Sequence, residues 1–73
     1  CNYMPFDEII KAIRKELNMT QEQLAHELNI SFSTINRWEN SHTSPSKLAK
    51  MRLLEFCGRK SVNTFITSEI DKL

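Results

Sequence analysis

The amino-acid sequence predicts an all-α fold, a compact domain of four to five helices. Apolar residues recur at helical spacing near the N-terminus, two good helix N-caps follow at Thr20 and Ser31, and a second long apolar segment ends near Gly58. The chain has 73 residues and no visible repeat, so we expect one domain that spans all of it. Its core is expected within about residues 6–57, with 59–73 as a C-terminal segment.

The first predicted element is an amphipathic helix that begins near Pro5. Proline suits a first helical turn, and acidic residues near the start and basic residues near the end complement the helix dipole. The apolar stripe of this helix has the spacing i, i+3, i+4, i+7 and i+11. Its members are Phe6, Ile9, Ile10, Ile13 and Leu17.

The next predicted element is a short helix over about residues 21–28. Thr20 is a good N-cap, and Gln23 stands three residues later, where a capping box takes Glu or Gln. Asn29 then occupies the position at which a helix end often takes a left-handed residue, a conformation that Asn tolerates well. A tight turn is therefore predicted there.

A second short helix is predicted over about residues 32–40, after the N-cap at Ser31. Ile35 and Trp38 are expected to point inward. The opposite face then carries a row of mostly polar side chains. These are Phe32, Ser33, Asn36, Arg37 and Asn40. The second helix of such a pair can enter the major groove of DNA.

The side chains of this row suit the edges of bases. Arg37 can donate a bidentate pair to guanine, Asn36 can match adenine, and Ser33 can donate or accept a hydrogen bond. Phe32 can cover a thymine methyl group. Two alternatives stay open. The polar row could be the solvated face of an ordinary surface helix, and Phe32 could instead make an apolar contact within the turn.

Another helix is predicted to open at Pro45 or Ser46 and to end at Gly58 as its C-cap. Its apolar residues spread around most of the helical wheel, which indicates that two partners cover it. One partner is the domain core, and the other is the C-terminal segment or a second copy of the chain. The segment 59–73 is predicted as a possible fifth helix or as a dimerisation element.

The charge of the chain is nearly balanced, with 10 Lys and Arg residues against 9 Asp and Glu. Between Ile9 and Lys60 nine basic residues stand against five acidic ones, a surplus that suits nucleic acid but is also common on solvated surfaces. No apolar run approaches about 18 residues, and the N-terminus lacks the pattern of a secretory signal. A cytoplasmic location without membrane contact is expected.

Neither a metal site nor a disulfide is predicted. Cys1 and Cys57 lack metal or redox spacing, and Cys57 lies in an apolar segment, where a free cysteine usually acts as a small buried hydrophobe. His26 and His42 are far apart and are expected at the surface. Because the chain begins with Cys1 instead of Met, we expect it to be part of a longer protein.

The sequence predicts no enzyme and no cofactor. Ser33, His42 and Glu39 are of the residue types found in a catalytic triad, but nothing orders them as nucleophile, base and orienting group. A glycine-rich phosphate loop is excluded because the chain has one glycine.

The segment MTQEQLAHELNISFSTINRWEN resembles the lambda-repressor-like helix-turn-helix family, also known as the Cro or XRE (xenobiotic response element) type. It matches the family pattern of Thr-Gln, Leu-Ala, an apolar residue before the Ser cap, then Ser/Thr-Ile and Trp-Glu-Asn. The resemblance covers roughly Phe6 to Cys57. It implies a helical domain, commonly of five helices, that places the second helix of the pair in the major groove. Members often bind palindromic operators as dimers.

The resemblance also implies roles for individual residues. Base reading is assigned to Phe32, Ser33 and Arg37, with Asn36 beside them. Contacts with the phosphate backbone are assigned to Thr20, Gln21, Asn40 and Lys47. For Lys47 the alternative of a solvated surface lysine stays open.

A structural ion pair is implied as well, between Arg14 of the first helix and Glu39 of the recognition helix. The chain departs from the family where Asn29 and Ser41 replace glycines. A different loop path over 41–46 is therefore expected.

The predicted function is sequence-specific binding of double-stranded DNA by a bacterial or phage transcriptional regulator, acting as a nucleoid-associated repressor and as a possible homodimer. Two alternatives stay open. One is a helical protein-interaction module, such as an antitoxin-like or assembly domain, and the other is the DNA-targeting domain of a larger protein.

Overall fold

A computed structural model describes residues 4–41 and 43–73, and within these ranges the chain forms five helices and no strand. The helices are α1 (Phe6–Leu17), α2 (Gln21–Leu28), α3 (Phe32–Asn40), α4 (Lys47–Arg59) and α5 (Thr64–Asp71). The all-α fold class is confirmed, and so are the bounds of the two short helices and the presence of a fifth helix. The predictions for Cys1 and His42 lie outside the described residues.

Local capping explains where α1 and α2 end and where α2 and α3 begin. Asn18 and Asn29 adopt left-handed conformations with φ of 56° and 58°, and each donates its backbone N–H to carbonyl groups in the last turn of the helix before it. Thr20 and Gln23 form both hydrogen bonds of the capping box that the sequence predicted. The side chain of Ser31 accepts from the N–H of Thr34 and opens α3.

The predicted end of α4 is wrong. The helix continues through Gly58 to Arg59, and Ser61 takes the left-handed conformation with φ of 56°. The N–H of Val62 then bonds back to the carbonyl of Cys57 at 3.0 Å. The left-handed residue thus lies three positions after Gly58, and Val62, which follows it, is buried in the core.

Replacing Gly58 with Ala is expected to raise the free energy of unfolding by about 0.5–1 kcal/mol. Gly58 has no positive φ, and a Cβ added there would meet no atom within 4 Å. Urea denaturation followed by circular dichroism measures the change. If Gly58 were the left-handed cap, the same substitution would destabilise the protein instead.

The hydrophobic core joins all five helices. It is built from the stripe of α1, the inner faces of α2 and α3, one side of α4, and apolar residues of the C-terminal segment. Its members are Phe6, Ile9, Ile10, Ile13, Leu24, Ala25, Leu28, Ile35, Trp38, Leu53, Phe56, Cys57, Val62, Ile66 and Ile70. The core therefore extends past the expected range 6–57, because α5 packs against α1 and α4.

Polar contacts hold the C-terminal segment in place. The buried carboxylate of Glu69 accepts the backbone N–H of Met4 at 3.2 Å and the ammonium of Lys72 at 3.1 Å. Ahead of α5, the N–H of Asn63 donates to Glu16 of α1 at 2.7 Å. The segment 59–73 thus belongs to the fold of one chain.

The second partner of α4 is α5, one of the two possibilities left open by the sequence. Leu53, Phe56 and Cys57 are buried beneath these helices, whereas Leu48 and Met51 are 61% and 58% exposed. Burial raises the pKa of the Cys57 thiol to about 11, with a smaller contribution from the charge of Glu16. Cys57 is thus a small hydrophobe of the core, as predicted.

In the described part of the chain, no helix has the length and apolar character required to cross a membrane. Over the same residues, no three His, Cys, Asp or Glu side chains are grouped so that they could hold a metal ion. His26 is exposed near the end of α2.

Candidate nucleic-acid interface

Helix α3 presents a continuous outer face to solvent. Phe32 is 48% exposed at the first position of the helix, and Ser33, Arg37 and Asn40 are exposed along it. Asn36 is partly buried and is hydrogen-bonded to Gln21 of α2. The row that the sequence predicted as a base-reading face is therefore on one side of one helix.

The inner face of α3 is anchored in the core. Ile35 is completely buried, and Trp38 meets the ring of Phe6 edge-on with the ring centroids 5.2 Å apart. Ala25 and Leu28 of α2 are buried in the same core. Helix α3 packs against both α1 and α2, so the position of its outer face is set by tertiary contacts on two sides.

A bidentate ion pair ties α3 to α1. The Arg14 guanidinium donates from Nε to Glu39 Oε2 at 2.6 Å and from Nη2 to Oε1 at 2.9 Å. Its third donor, Nη1, reaches the carbonyl of Met19 in the connection between α1 and α2 at 3.2 Å. The Glu39 side chain is 3% exposed and that of Arg14 is 26% exposed. Bidentate hydrogen bonds between a guanidinium and a carboxylate are stronger than hydrogen bonds between neutral groups.

The environment of Glu39 favours its ionised form. Burial alone would raise the pKa of this carboxyl group, but hydrogen bonds from Arg14 and Gln21, together with the positive charge of Arg14, outweigh burial and lower the pKa overall. The pKa of Arg14 is raised by the same hydrogen bond to Glu39. Both groups are thus charged at neutral pH, and the pair is a fixed structural support for α3.

Three side-chain amides, those of Gln21, Asn36 and Asn40, form a hydrogen-bonded chain that joins α2 to the solvent-exposed end of α3. Asn40 Nδ2 donates to the backbone carbonyl of Asn36 at 2.9 Å and to Asn36 Oδ1 at 3.0 Å. Asn36 Nδ2 donates to Gln21 Oε1 at 3.3 Å. The Asn40 amide nitrogen thus faces two acceptors of Asn36, and a donation from it to a phosphate competes with these bonds.

The start of α2 lies beside the start of α3. Thr20, Gln21, Glu22 and Phe32 line one cleft together with the connection that leads out of α1. The Thr20 side chain caps the N–H of Gln23. The N–H groups of Gln21 and Glu22 have no intrahelical acceptor, because both residues lie in the first turn of the helix. Predicted phosphate-binding and base-reading residues thus meet in this cleft.

Two basic side chains complete the predicted set. Arg37 is exposed in the last turn of α3 and forms no ion pair within residues 4–41 and 43–73. Lys47 is exposed at the first position of α4. Among the described residues no hydrogen bond joins Lys47 to α3, and Lys47 is not among the residues that line the cleft.

Sequence reasoning missed the part that Gln21 plays through its side chain. The i, i+4 spacing of Asn36 and Asn40 signals one step of the amide chain, because such amide pairs on a helix hydrogen-bond to each other. The step from Asn36 to Gln21 bridges two helices, and no spacing within the sequence indicates it.

Three characterised or catalogued proteins are similar to the chain. The type II methyltransferase M1.ScrFI of Lactococcus lactis subsp. cremoris is 45% identical over 51 residues. The HTH-type transcriptional activator BcrR of Enterococcus faecalis is 34% identical over 70 residues. An uncharacterized HTH-type transcriptional regulator of Methanothermobacter thermautotrophicus is 36% identical over 62 residues.

The extent of these matches differs. They cover 66%, 96% and 84% of this chain, respectively. The chain spans 13% of the methyltransferase, 30% of the activator and 90% of the third protein. No solved structure matches the chain significantly.

A family model described as Helix-turn-helix matches residues 10–63, which include α2, α3 and the whole of α4. The match therefore covers the ion pair, the amide chain and the exposed row of α3. It agrees with the arrangement of the five helices and with the two similar proteins that are named as HTH-type regulators. The chain belongs to the XRE-type helix-turn-helix family.

Proposed function

We propose that the chain binds double-stranded DNA sequence-specifically by inserting α3 into the major groove. The observation that carries the proposal is the division of α3 into a buried inner face and an outer row of exposed side chains with hydrogen-bonding capacity. Family membership and the HTH-type regulators among the relatives support a role in DNA-binding transcription regulation. Phe32, Ser33, Asn36 and Arg37 are the proposed base-reading residues.

The phosphate backbone is proposed to meet the start of α2. The N–H groups of the first turn and the Thr20 hydroxyl can donate to a phosphate, and the positive end of the helix dipole favours the anion. Gln21 takes part through its backbone N–H. Lys47 and Asn40 complete the proposed contacts, and the Asn40 amide then divides its two N–H groups between Asn36 and the phosphate.

Binding to DNA should weaken as salt concentration rises, because basic residues displace counterions from phosphates. Titration against mixed genomic DNA at two salt concentrations tests this. Selection from a random DNA pool, followed by footprinting, then identifies the preferred site. Absence of binding, or binding that is indifferent to salt, contradicts the proposal.

Replacing Arg37 with Ala is expected to cost about 1–3 kcal/mol on the preferred site and to relax the preference at one base pair. The guanidinium is exposed on α3 and can form a bidentate pair with guanine. Competition binding against a panel of singly substituted sites measures the effect.

Arg59 provides a matched control for Arg37, because Arg59→Ala removes the same charge at the far end of α4. The control should leave the base preference unchanged. If Arg37→Ala weakens binding equally on every sequence, Arg37 contacts phosphate and the base-reading assignment is wrong.

At the level of the whole protein, we propose a repressor of bacterial or phage origin that acts in the cytoplasm, associated with the nucleoid, by occupying an operator. A dimer on a palindromic operator would read half-sites about 34–36 Å apart. The exposed Leu48 and Met51 of α4 are the apolar surface that would support self-association. The relative from Enterococcus faecalis is named an activator, so a reporter gene behind the selected site must separate repression from activation.

A second candidate function is the DNA-targeting domain of a larger protein. The chain spans 13% and 30% of two relatives, and one of these is a methyltransferase. In this case the chain would bind the DNA site, and another domain of the protein would carry the activity. A protein-interaction role is supported by the exposed apolar side chains of Leu48 and Met51 on α4 and of Phe65 on α5. A chain that dimerises but does not bind DNA would favour it.

A further inference from the structure

Asn36 differs from the other proposed base-reading residues because its side chain is hydrogen-bonded from two directions. Its Nδ2 donates to Gln21 Oε1 at 3.3 Å, and its Oδ1 accepts from Asn40 Nδ2 at 3.0 Å. An amide group offers two N–H donors and two acceptor positions on its oxygen. One donor and one acceptor position of Asn36 are therefore left for a ligand.

The direction of this amide is determined from the backbone of α3. The backbone carbonyl of Asn36 is an acceptor only, so the Asn40 amide must turn its nitrogen toward it, at 2.9 Å. The same nitrogen lies 3.0 Å from the Asn36 side chain, which must present its oxygen to Asn40 and its nitrogen to Gln21 Oε1. Turning the Asn36 amide over would place oxygen against oxygen at Gln21 and nitrogen against nitrogen at Asn40.

The two free positions on Asn36 form a donor beside an acceptor. Adenine presents the complementary pair in the major groove, with N7 as acceptor and the N6 amino group as donor. Guanine presents two acceptors, N7 and O6, and its O6 would oppose the oxygen of Asn36. A preset Asn36 amide therefore discriminates between these two purines.

We infer that Gln21 and Asn40 are positioning residues that hold the Asn36 amide in the direction that reads adenine. This inference rests on the proposed function, since it requires α3 to lie in the major groove. It deepens that function by naming the base and the two residues that make the reading selective. Arg14 and Glu39 lie outside this amide chain, and their ion pair holds α3, which carries Asn36 and Asn40, against α1.

The first arm of the test uses the unmodified protein and altered DNA. In the selected site, the adenine whose preference depends on Asn36 is replaced by 7-deazaadenine, which lacks the N7 acceptor. The affinity of the wild-type protein is expected to fall by about 5- to 10-fold. The same base replacement should leave the affinity of the Asn36→Ala variant almost unchanged. This arm does not depend on the folding of any positioning variant.

The second arm compares adenine with guanine at the same position. The wild-type protein is expected to prefer adenine by about 5- to 150-fold. Gln21→Ala and Asn40→Ala should each reduce this preference several-fold while the preference at the position read by Arg37 is retained. Gln23→Ala is the matched control in α2, because the Gln23 side chain closes only the capping box with Thr20, and it should keep the adenine preference.

The outcomes separate the inference from the proposed function. A protein that has no preferred DNA site overturns both. A preferred site that is insensitive to 7-deazaadenine, or that shows no adenine preference dependent on Asn36, overturns the inference alone. Equal weakening of adenine and guanine sites by Gln21→Ala and Asn40→Ala also overturns it, because it shows that the amide chain only stiffens the contact between α2 and α3.

Discussion

Replacing Arg14 with Met is expected to lower the free energy of unfolding by about 3 kcal/mol. Removal of one partner of a buried ion pair typically costs about 3–5 kcal/mol, because the other charge is left without compensation. Glu39 is almost completely buried, whereas a quarter of the Arg14 side chain is exposed. Some water can therefore reach Glu39 in the variant, which places the expected loss at the lower end.

Urea denaturation of the variant measures this loss, and two further variants interpret it. Lys15→Met removes a neighbouring exposed charge of α1 and should change stability by less than about 0.5 kcal/mol. The double variant Arg14→Met/Glu39→Met should recover much of the loss, because no unpaired charge remains. If the double variant is as unstable as the single one, packing at Arg14 rather than the ion pair supports α3.

The same ion pair predicts a dependence of stability on pH. The pKa of Glu39 is lowered in the folded protein, chiefly because hydrogen bonds from Arg14 and Gln21 outweigh the opposing effect of burial. A carboxylate with a lowered pKa stabilises the fold above its ordinary pKa of about 4.3, and this stabilisation is lost as pH falls through the lower folded value. Unfolding curves between pH 7 and pH 3 should show the loss, and Glu39→Gln should diminish it.

Replacing Ile70 with Ala is the second large expected effect, a loss of about 2–5 kcal/mol in the free energy of unfolding. Ile70 is completely buried in the core, although it lies three residues from the end of the chain. Removal of its side-chain carbons takes apolar surface out of the core and leaves a cavity in its place.

Phe65 is the matched control on the same helix. It is larger than Ile70 but 61% exposed, so Phe65→Ala should change stability by less than about 0.5 kcal/mol. Thermal or urea denaturation of both variants makes the comparison. Equal and small effects of the two substitutions would contradict the packing of α5 against α1 and α4.

Prediction from the sequence succeeded where interactions are local. Thr20 and Gln23 form the predicted capping box, and Asn29 takes the predicted left-handed conformation. Capping, helical periodicity and left-handed turns act between residues that are close in sequence, so a short segment contains the information. The ion pair of Arg14 and Glu39 was predicted in another way, from the resemblance to the family.

Prediction was wrong or incomplete where distant residues decide the outcome. Gly58 has the residue type of a helix C-cap, yet the helix runs past it, and Val62 after the turn is buried in the core. Nothing in the sequence singles out Glu69, but it is buried and accepts a hydrogen bond from Met4, 65 positions away. The β-branched residues of the tail lower the intrinsic odds of a helix, and packing against α1 and α4 overrides them.

By itself, the sequence determined the positions of the two short helices, the turn between them and the row of side chains that α3 presents. Each depends on contacts within one or two helical turns. Only the tertiary structure decided that α5 completes the core and that Gln21, Asn36 and Asn40 form one connected chain. The physical reason is that these contacts join separate helices, whose relative placement is decided by burial of the common core.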